Sequence, residues 1–133
     1  MPSIFTKIIN REIPSYTVAE DENFIAFLDI NPLAVGHTLV IPKIEIDYFF
    51  DLDESTLSSL MVFAKKISSA IQAVTNCKRV GVAVIGFEVP HAHMHLVPMN
   101  SMHDINFANP KLKLSKEEFA DTAKRIKEKF LLN

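Results

Sequence analysis

Three histidines stand at alternate positions, His91, His93 and His95, inside the run HAHMHLVP. In an extended strand successive side chains point to opposite faces, so this spacing turns the three imidazoles and Val97 to one surface and Ala92, Met94 and Leu96 to the other. Burying three polar rings against a core would demand a hydrogen-bond partner for each. Three kinds of chemistry could use such a row. Imidazole is a good nucleophile near neutral pH, and a flanking protonated imidazole can neutralise phosphate oxygens or serve a leaving group. A His-x-His pair on a strand also presents two nitrogens to a zinc ion. The third reading is structural, a hydrogen-bonded histidine ladder. Phosphate chemistry is favoured, because one strand can hold both the attacking and the neutralising ring.

A strand that carries such a row needs a sheet around it. TVAED, NFIAFLD and HTLVIPK are short runs rich in branched and aromatic residues, separated by polar, proline or glycine punctuation, and read as antiparallel strands. Arg79 to Phe87 and His91 to Met99 return to strand character, joined by a tight connection over Glu88 to Pro90. Leu57, Leu60, Met61, Ala64, Ile67, Ile71 and Val74 repeat near 3.6, which predicts a helix covering one sheet face, with Lys65, Lys66 and Gln72 on its other side. Ile4, Phe5, Ile8 and Ile9 predict a short amphipathic helix before Pro14. Ser115 and Glu118 form a capping box ahead of a last helix, with Leu114 placed to staple to Phe119. SMHDINFANPKLKL, between the histidine strand and that helix, shows no period and reads as an ordered loop. The fold class is therefore α+β: a mainly antiparallel sheet of about five strands, a long helix across one face and terminal helical segments.

Composition narrows the function. The 133 residues, 48% of them hydrophobic, suit one core, so residues 1–133 read as a single domain with its body over about 3–100 and a loop and helix over about 101–133. A net charge of −2 with both signs mixed offers no basic stripe for polymeric nucleic acid. The most apolar stretch, Val80 to Pro90, is well short of the ~20 residues that span a bilayer, so no membrane partner is expected. One cysteine, Cys77, and an opening without a signal-like segment point to the cytoplasm. Cys77 and His103 have no local partner and receive no role.

The run HAHMHLVP resembles the histidine triad pattern of His, apolar, His, apolar, His and two apolar residues, and the likeness extends further. SIFTKIINREIPS is similar to the amino-terminal segment of the histidine triad (HIT) family, and FIAFLDINPLAVGHTLVIPK to its nucleotide-binding strand pair. This resemblance implies a HIT-like fold and a purine nucleotide substrate. His93 would attack the α-phosphorus and be transiently nucleotidylated, after which water releases a nucleoside monophosphate. It further implies that His95 lies against the phosphate oxygens, that His91 orients His93 through its backbone carbonyl, and that His37 completes the cluster. Asp29 would accept hydrogen bonds from the ribose hydroxyls, with Ile30 lining the base pocket and Val89 retained beside the triad. On local sequence alone Asp29 reads equally as a turn residue before Asn31 and Pro32, and His37 as a surface residue after Gly36. The resemblance also implies a two-fold dimer through the long helix and an edge strand.

Two segments depart from the family. Many relatives hold a structural zinc with an amino-terminal Cys-x-x-Cys and further histidines, where this chain has Ser3, Thr6 and Glu45. No zinc, and no other cofactor, is expected. Before the triad, VIGFEVPHAH places Phe87 where relatives have glutamine and lacks their glycine-rich loop, so contacts to the leaving group must differ. Glu88 is expected in a surface salt bridge. The expected activity is hydrolysis of nucleoside phosphoramidates or dinucleoside polyphosphates, and the rival is a nucleotide-binding or scaffolding module with little turnover.

Overall fold

The computed structural model describes residues 2–132; Met1 and Asn133, the ends of the expected 1–133 domain, lie outside the described residues. Strands β1 (Thr17–Glu20), β2 (Phe24–Leu28), β3 (Thr38–Pro42), β4 (Arg79–Ala83) and β5 (Met94–Met99) form one antiparallel sheet in the order β1-β2-β3-β5-β4. Helix α1 (Ile4–Ile9) precedes it, α2 (Glu54–Thr75) lies between β3 and β4, and α3 (Lys116–Leu131) closes the chain. The α+β expectation therefore stands. No helix among the described residues is long and apolar enough to cross a membrane.

The two faces of the sheet have different partners. Val18, Phe24, Ala26, Leu28, Val40, Met94 and Leu96 pack against Leu60, Phe63, Ala64, Ile67 and Ile71 of α2 and Phe119, Ala123 and Ile126 of α3. Relative to the expected stripe, the buried face of α2 loses Met61 and gains Phe63 and Ala70. Met61 sits about 100° off the line through Leu60, Ala64 and Ile67, is 51% exposed and yields its place to Phe63. Asp53 caps α2 by accepting Thr56 N–H, and Asn76 ends it in the left-handed conformation at φ 56°. The Ser115 and Glu118 capping box forms at the start of α3, satisfying two backbone donors reciprocally. On the opposite face Ile25, Phe27, Leu39 and Ile41 make a smaller core with Phe5, Ile8, Ile9 and Val89. There α1 covers only part of the sheet and leaves room for the histidines.

Two strands are shorter than their sequence patterns indicate. β4 ends at Ala83 rather than Phe87, and β5 begins at Met94 rather than His91. The last rung between β3 and β5 is Val40 with Met94. Two positions further along β3 stands Pro42, which has no N–H to give to a ladder. Its carbonyl accepts the ring Nε2–H of His91 at 2.8 Å, and Ala92 N–H donates to Ile46 carbonyl instead. His91 and His93 thus precede the strand, with only His95 inside it.

Candidate active site

Strand register assembles the site. Phe27, Leu39, His95 and Ala83 are successive cross-strand partners, so they share the face partly covered by α1. Two rungs on, past Leu28 and Thr38, Asp29 N–H donates to the His37 carbonyl at 3.0 Å, which brings Asp29 and His37 to the same face beside His95.

A tight turn delivers His37. Gly36 has φ +97°, and a Cβ there would stand 2.9 Å from Thr75 Cγ2, so both backbone and space require glycine. His37 turns inward and is 1% exposed, not the surface residue its local sequence allows. Its Nδ1 accepts Leu33 N–H at 3.0 Å, which puts the ring proton on Nε2. That Nε2–H faces His95 Nδ1 at 3.0 Å and Asp29 Oδ2 at 3.6 Å. His95, accepting at Nδ1, carries its own proton on Nε2. Burial keeps both rings neutral: His37 is pushed down to about 4, with the Lys111 charge adding, and His95 to about 3, with His37 and His93 adding.

His93 has the opposite tautomer. Its Nδ1–H donates to the His91 carbonyl at 2.7 Å, leaving Nε2 as an open lone pair. Its ring centroid lies 5.1 Å from that of His95 and 5.0 Å from that of Phe5, which meets it edge to face. His91 is fully buried, and its desolvation holds it below the usual imidazole range.

Asp29 takes the turn role that its local sequence suggested. Oδ1 accepts Asn31 N–H at 2.8 Å and fastens the turn, while Oδ2 points toward His37. Burial raises its carboxyl above the ordinary range, and the Glu88 charge raises it further. Ile30, beside it, is 65% exposed, whereas Val89 packs against the smaller core. Phe87 is 95% exposed. Glu88 makes no ion pair among the described residues, contrary to the expected surface salt bridge; no basic side chain reaches it, and its charge bears on Asp29 instead.

Known proteins repeat this arrangement of chain. A model of the HIT domain matches residues 10–102, more than two thirds of the sequence. The chain belongs to the HIT domain family. It is 39% identical over 131 residues to an uncharacterised HIT-like protein of Borreliella burgdorferi, covering 92% of this chain and 94% of that one. To the adenosine 5′-monophosphoramidase of Schizosaccharomyces pombe it is 30% identical over 131 residues, covering 97% and 98%. The crystal structure of a Hit-like protein from Bartonella henselae superposes with a TM-score of 0.82 at 32% identity, covering 96% and 95%.

Neither possible cation site in this HIT domain fits a metal well. Around His91 stand the hydroxyls of Ser3 and Thr6 and the carboxylate of Glu45. Hydroxyls are poor ligands for zinc, and Ser3 Oγ already lies 2.9 Å from His91 Nδ1 in a hydrogen bond. Asp29, His37 and His95 bring three potential ligand atoms within 4.8 Å of one another. There His37 Nε2 bears the proton that Leu33 N–H excludes from Nδ1, so it has no lone pair for a cation.

Three further side chains shape the HIT site without a local signal. Phe107 packs edge-on against His95 and His37, at centroid distances of 4.8 and 6.1 Å. Lys111, whose ammonium donates to the Phe107 carbonyl, supplies the nearby positive charge. Both come from the loop after β5, whose backbone is tied down by Leu112 N–H donating to the Pro32 carbonyl at 2.9 Å. Phe5 arrives from α1. Cys77 is buried beside a separate cavity of about 430 Å³ that also borders Leu33, Asp104 and Arg125, and none of the site histidines lines it.

Proposed function

We propose that this HIT protein hydrolyses purine nucleoside 5′-phosphoramidates through a transient nucleotidyl adduct on His93, with dinucleoside polyphosphates as the second substrate class. The carrying observation is the 2.7 Å hydrogen bond from His93 Nδ1–H to the His91 carbonyl, which leaves Nε2 unprotonated on a preorganised ring. In the first step that lone pair attacks the α-phosphorus and the P–N bond breaks; the departing nitrogen keeps the bond's electron pair and takes a proton from solvent. Water then attacks the adduct, the P–N bond to His93 breaks, and the nucleoside monophosphate leaves. His95, through Nε2–H and backed by His37, donates to the phosphate oxygens. His91 orients His93, Asp29 Oδ2 accepts the ribose hydroxyls, and Ile30 and Val89 line the nucleotide pocket. The name of the Schizosaccharomyces pombe relative, an adenosine 5′-monophosphoramidase, supports the same substrate class.

Incubation with adenosine phosphoramidate and with diadenosine polyphosphate is expected to release AMP, unaffected by a chelator. No AMP from either at high enzyme concentration rejects the hydrolase. AMP binding by calorimetry with no nucleotidyl mass on His93 would then mark a binding module, and activity lost on chelation and restored by zinc would mark a metallohydrolase.

The proposal extends to a homodimer formed by residues 1–133 as one unit. β4 is an unpaired edge of the sheet, with Val82 51%, Val84 38% and Ile85 47% exposed around its end, and α2 leaves Met61 and Val62 51% and 57% exposed. Sedimentation equilibrium at micromolar concentration is expected to give twice the chain mass; the chain mass itself would reject the dimer.

A further inference from the structure

The first turn of α1 and Glu45 close around the near end of the histidine row. Glu45 Oε1 accepts both Ser3 N–H and the Thr6 hydroxyl, each at 2.6 Å. Ser3 Oγ caps α1 by accepting Thr6 N–H at 3.0 Å. With the Thr6 proton committed to Glu45, the Ser3 hydroxyl is the donor to His91 Nδ1 at 2.9 Å. On the far side His91 Nε2–H donates to the Pro42 carbonyl at 2.8 Å. Both nitrogens of a fully buried ring are thus filled in one sense only. Neither a carbonyl nor a carboxylate has a proton to offer, so Pro42 places the ring proton on Nε2 while Glu45 accepts the Thr6 hydroxyl proton and leaves Ser3 to face Nδ1. The Ser3 and Thr6 hydrogen bonds also hold the Glu45 carboxyl well below the usual range, and the direction persists through neutral and mildly acid solution. Phe5, one residue along the same turn from Thr6, meets the His93 ring edge to face at 85°.

We propose that Ser3, Phe5, Thr6 and Glu45 are positioning residues that brace His91 from the Nδ1 side of its ring, hold its carbonyl against His93 Nδ1–H, and so keep the attacking nitrogen of His93 in its lone-pair form. The inference rests on the hydrolase reading above for its kinetic consequence, but its structural content stands apart from turnover. None of the four touches the reacting atoms. Ser3, Thr6 and Glu45 act through the His91 backbone and Phe5 against the side of the His93 ring, and the effect belongs in kcat rather than in nucleotide affinity.

The test uses the full chain, with kinetics on adenosine phosphoramidate and long-range ¹⁵N–¹H spectra of the histidine rings. Ser3→Ala is expected to lower kcat about tenfold with KM changed less than about twofold, to shift the His91 Nδ1 resonance as its donor is lost, and to move His93 away from its single Nδ1–H tautomer. Ser3→Thr keeps the hydroxyl and should recover most of kcat. Because Ser3 also caps α1, Glu45→Ala serves as a second variant that leaves the cap in place; the same kcat loss and the same His93 tautomer change are expected. Wild-type kcat in both alanine variants, or a kcat loss with the His93 tautomer unchanged, overturns the clamp. If the unmodified chain shows no turnover, the hydrolase reading falls, and the clamp is decided by the histidine signals alone: a His93 that leaves its single Nδ1–H tautomer in Ser3→Ala supports it and an unchanged one rejects it.

Discussion

His93→Ala is expected to lower AMP release from adenosine phosphoramidate by at least ~10⁴-fold, because it removes the atom that forms the covalent intermediate, and neighbouring groups cannot substitute for a missing nucleophile. The tautomer argument makes this effect far larger than that of any other ring in the row. His95 and His37 have their protons on Nε2 and are held neutral by burial, so neither presents an open nitrogen to phosphorus in the resting site. Binding should survive the substitution, since Asp29 Oδ2 and the pocket beside it are untouched. Rapid-quench measurement of AMP and intact-mass detection of the nucleotidyl adduct give the readout, with AMP titration calorimetry as the binding control. A variant keeping more than about 1% of the rate would place the nucleophile elsewhere.

Acid should destabilise the fold as the buried imidazoles come under pressure to protonate. His37 and His95 are 1% and 9% exposed and pushed down from 6.5 to about 4 and about 3. The native chain therefore refuses protons that the unfolded chain accepts below about pH 6.5. For groups with lowered imidazole values the sign is fixed: stability is unaffected above that pH, falls as pH drops through it, and levels once the folded-state values are passed. Between pH 7 and pH 5 the unfolding free energy is expected to decrease by on the order of 2–4 kcal/mol, the range reflecting that the two rings share one hydrogen bond and do not titrate independently. His91, also lowered by burial, acts in the same direction. Urea unfolding across this window measures the effect, and His95→Gln should flatten the slope by roughly half. A flat profile between pH 7 and pH 5 would mean that the rings are reached by water and the site is not the dry cluster described.

Much of this molecule is legible residue by residue. The period of Leu60, Ala64, Ile67 and Ile71 indicates α2, the spacing of Ser115 and Glu118 indicates the start of α3, and HAHMHLVP marks where chemistry is concentrated. Each of these is a local relation, within a helix turn or along one extended segment, where backbone geometry alone decides which side chains share a face. The same reasoning extended the histidine strand too far. The ladder between β3 and β5 stops at the Val40 and Met94 pair because Pro42, two positions further along β3 and distant from the histidines in sequence, has no N–H to continue it.

Tertiary structure alone decided what surrounds the row. Nothing near Ser3 announces that its hydroxyl meets His91, and no pattern in the loop after β5 points Phe107 at His95. The tautomers were equally hidden, since each is set by a distant or turn-delivered partner: Leu33 N–H for His37, the Pro42 carbonyl and Ser3 for His91, and the His91 carbonyl for His93. Local patterns along the chain specify which elements form and where the imidazoles are concentrated; folding specifies which nitrogen of each ring carries the proton. An imidazole is symmetric enough to donate or accept at either nitrogen, so its role is undetermined until fixed backbone dipoles approach it, and only the strand register and the packing of α1 bring them there.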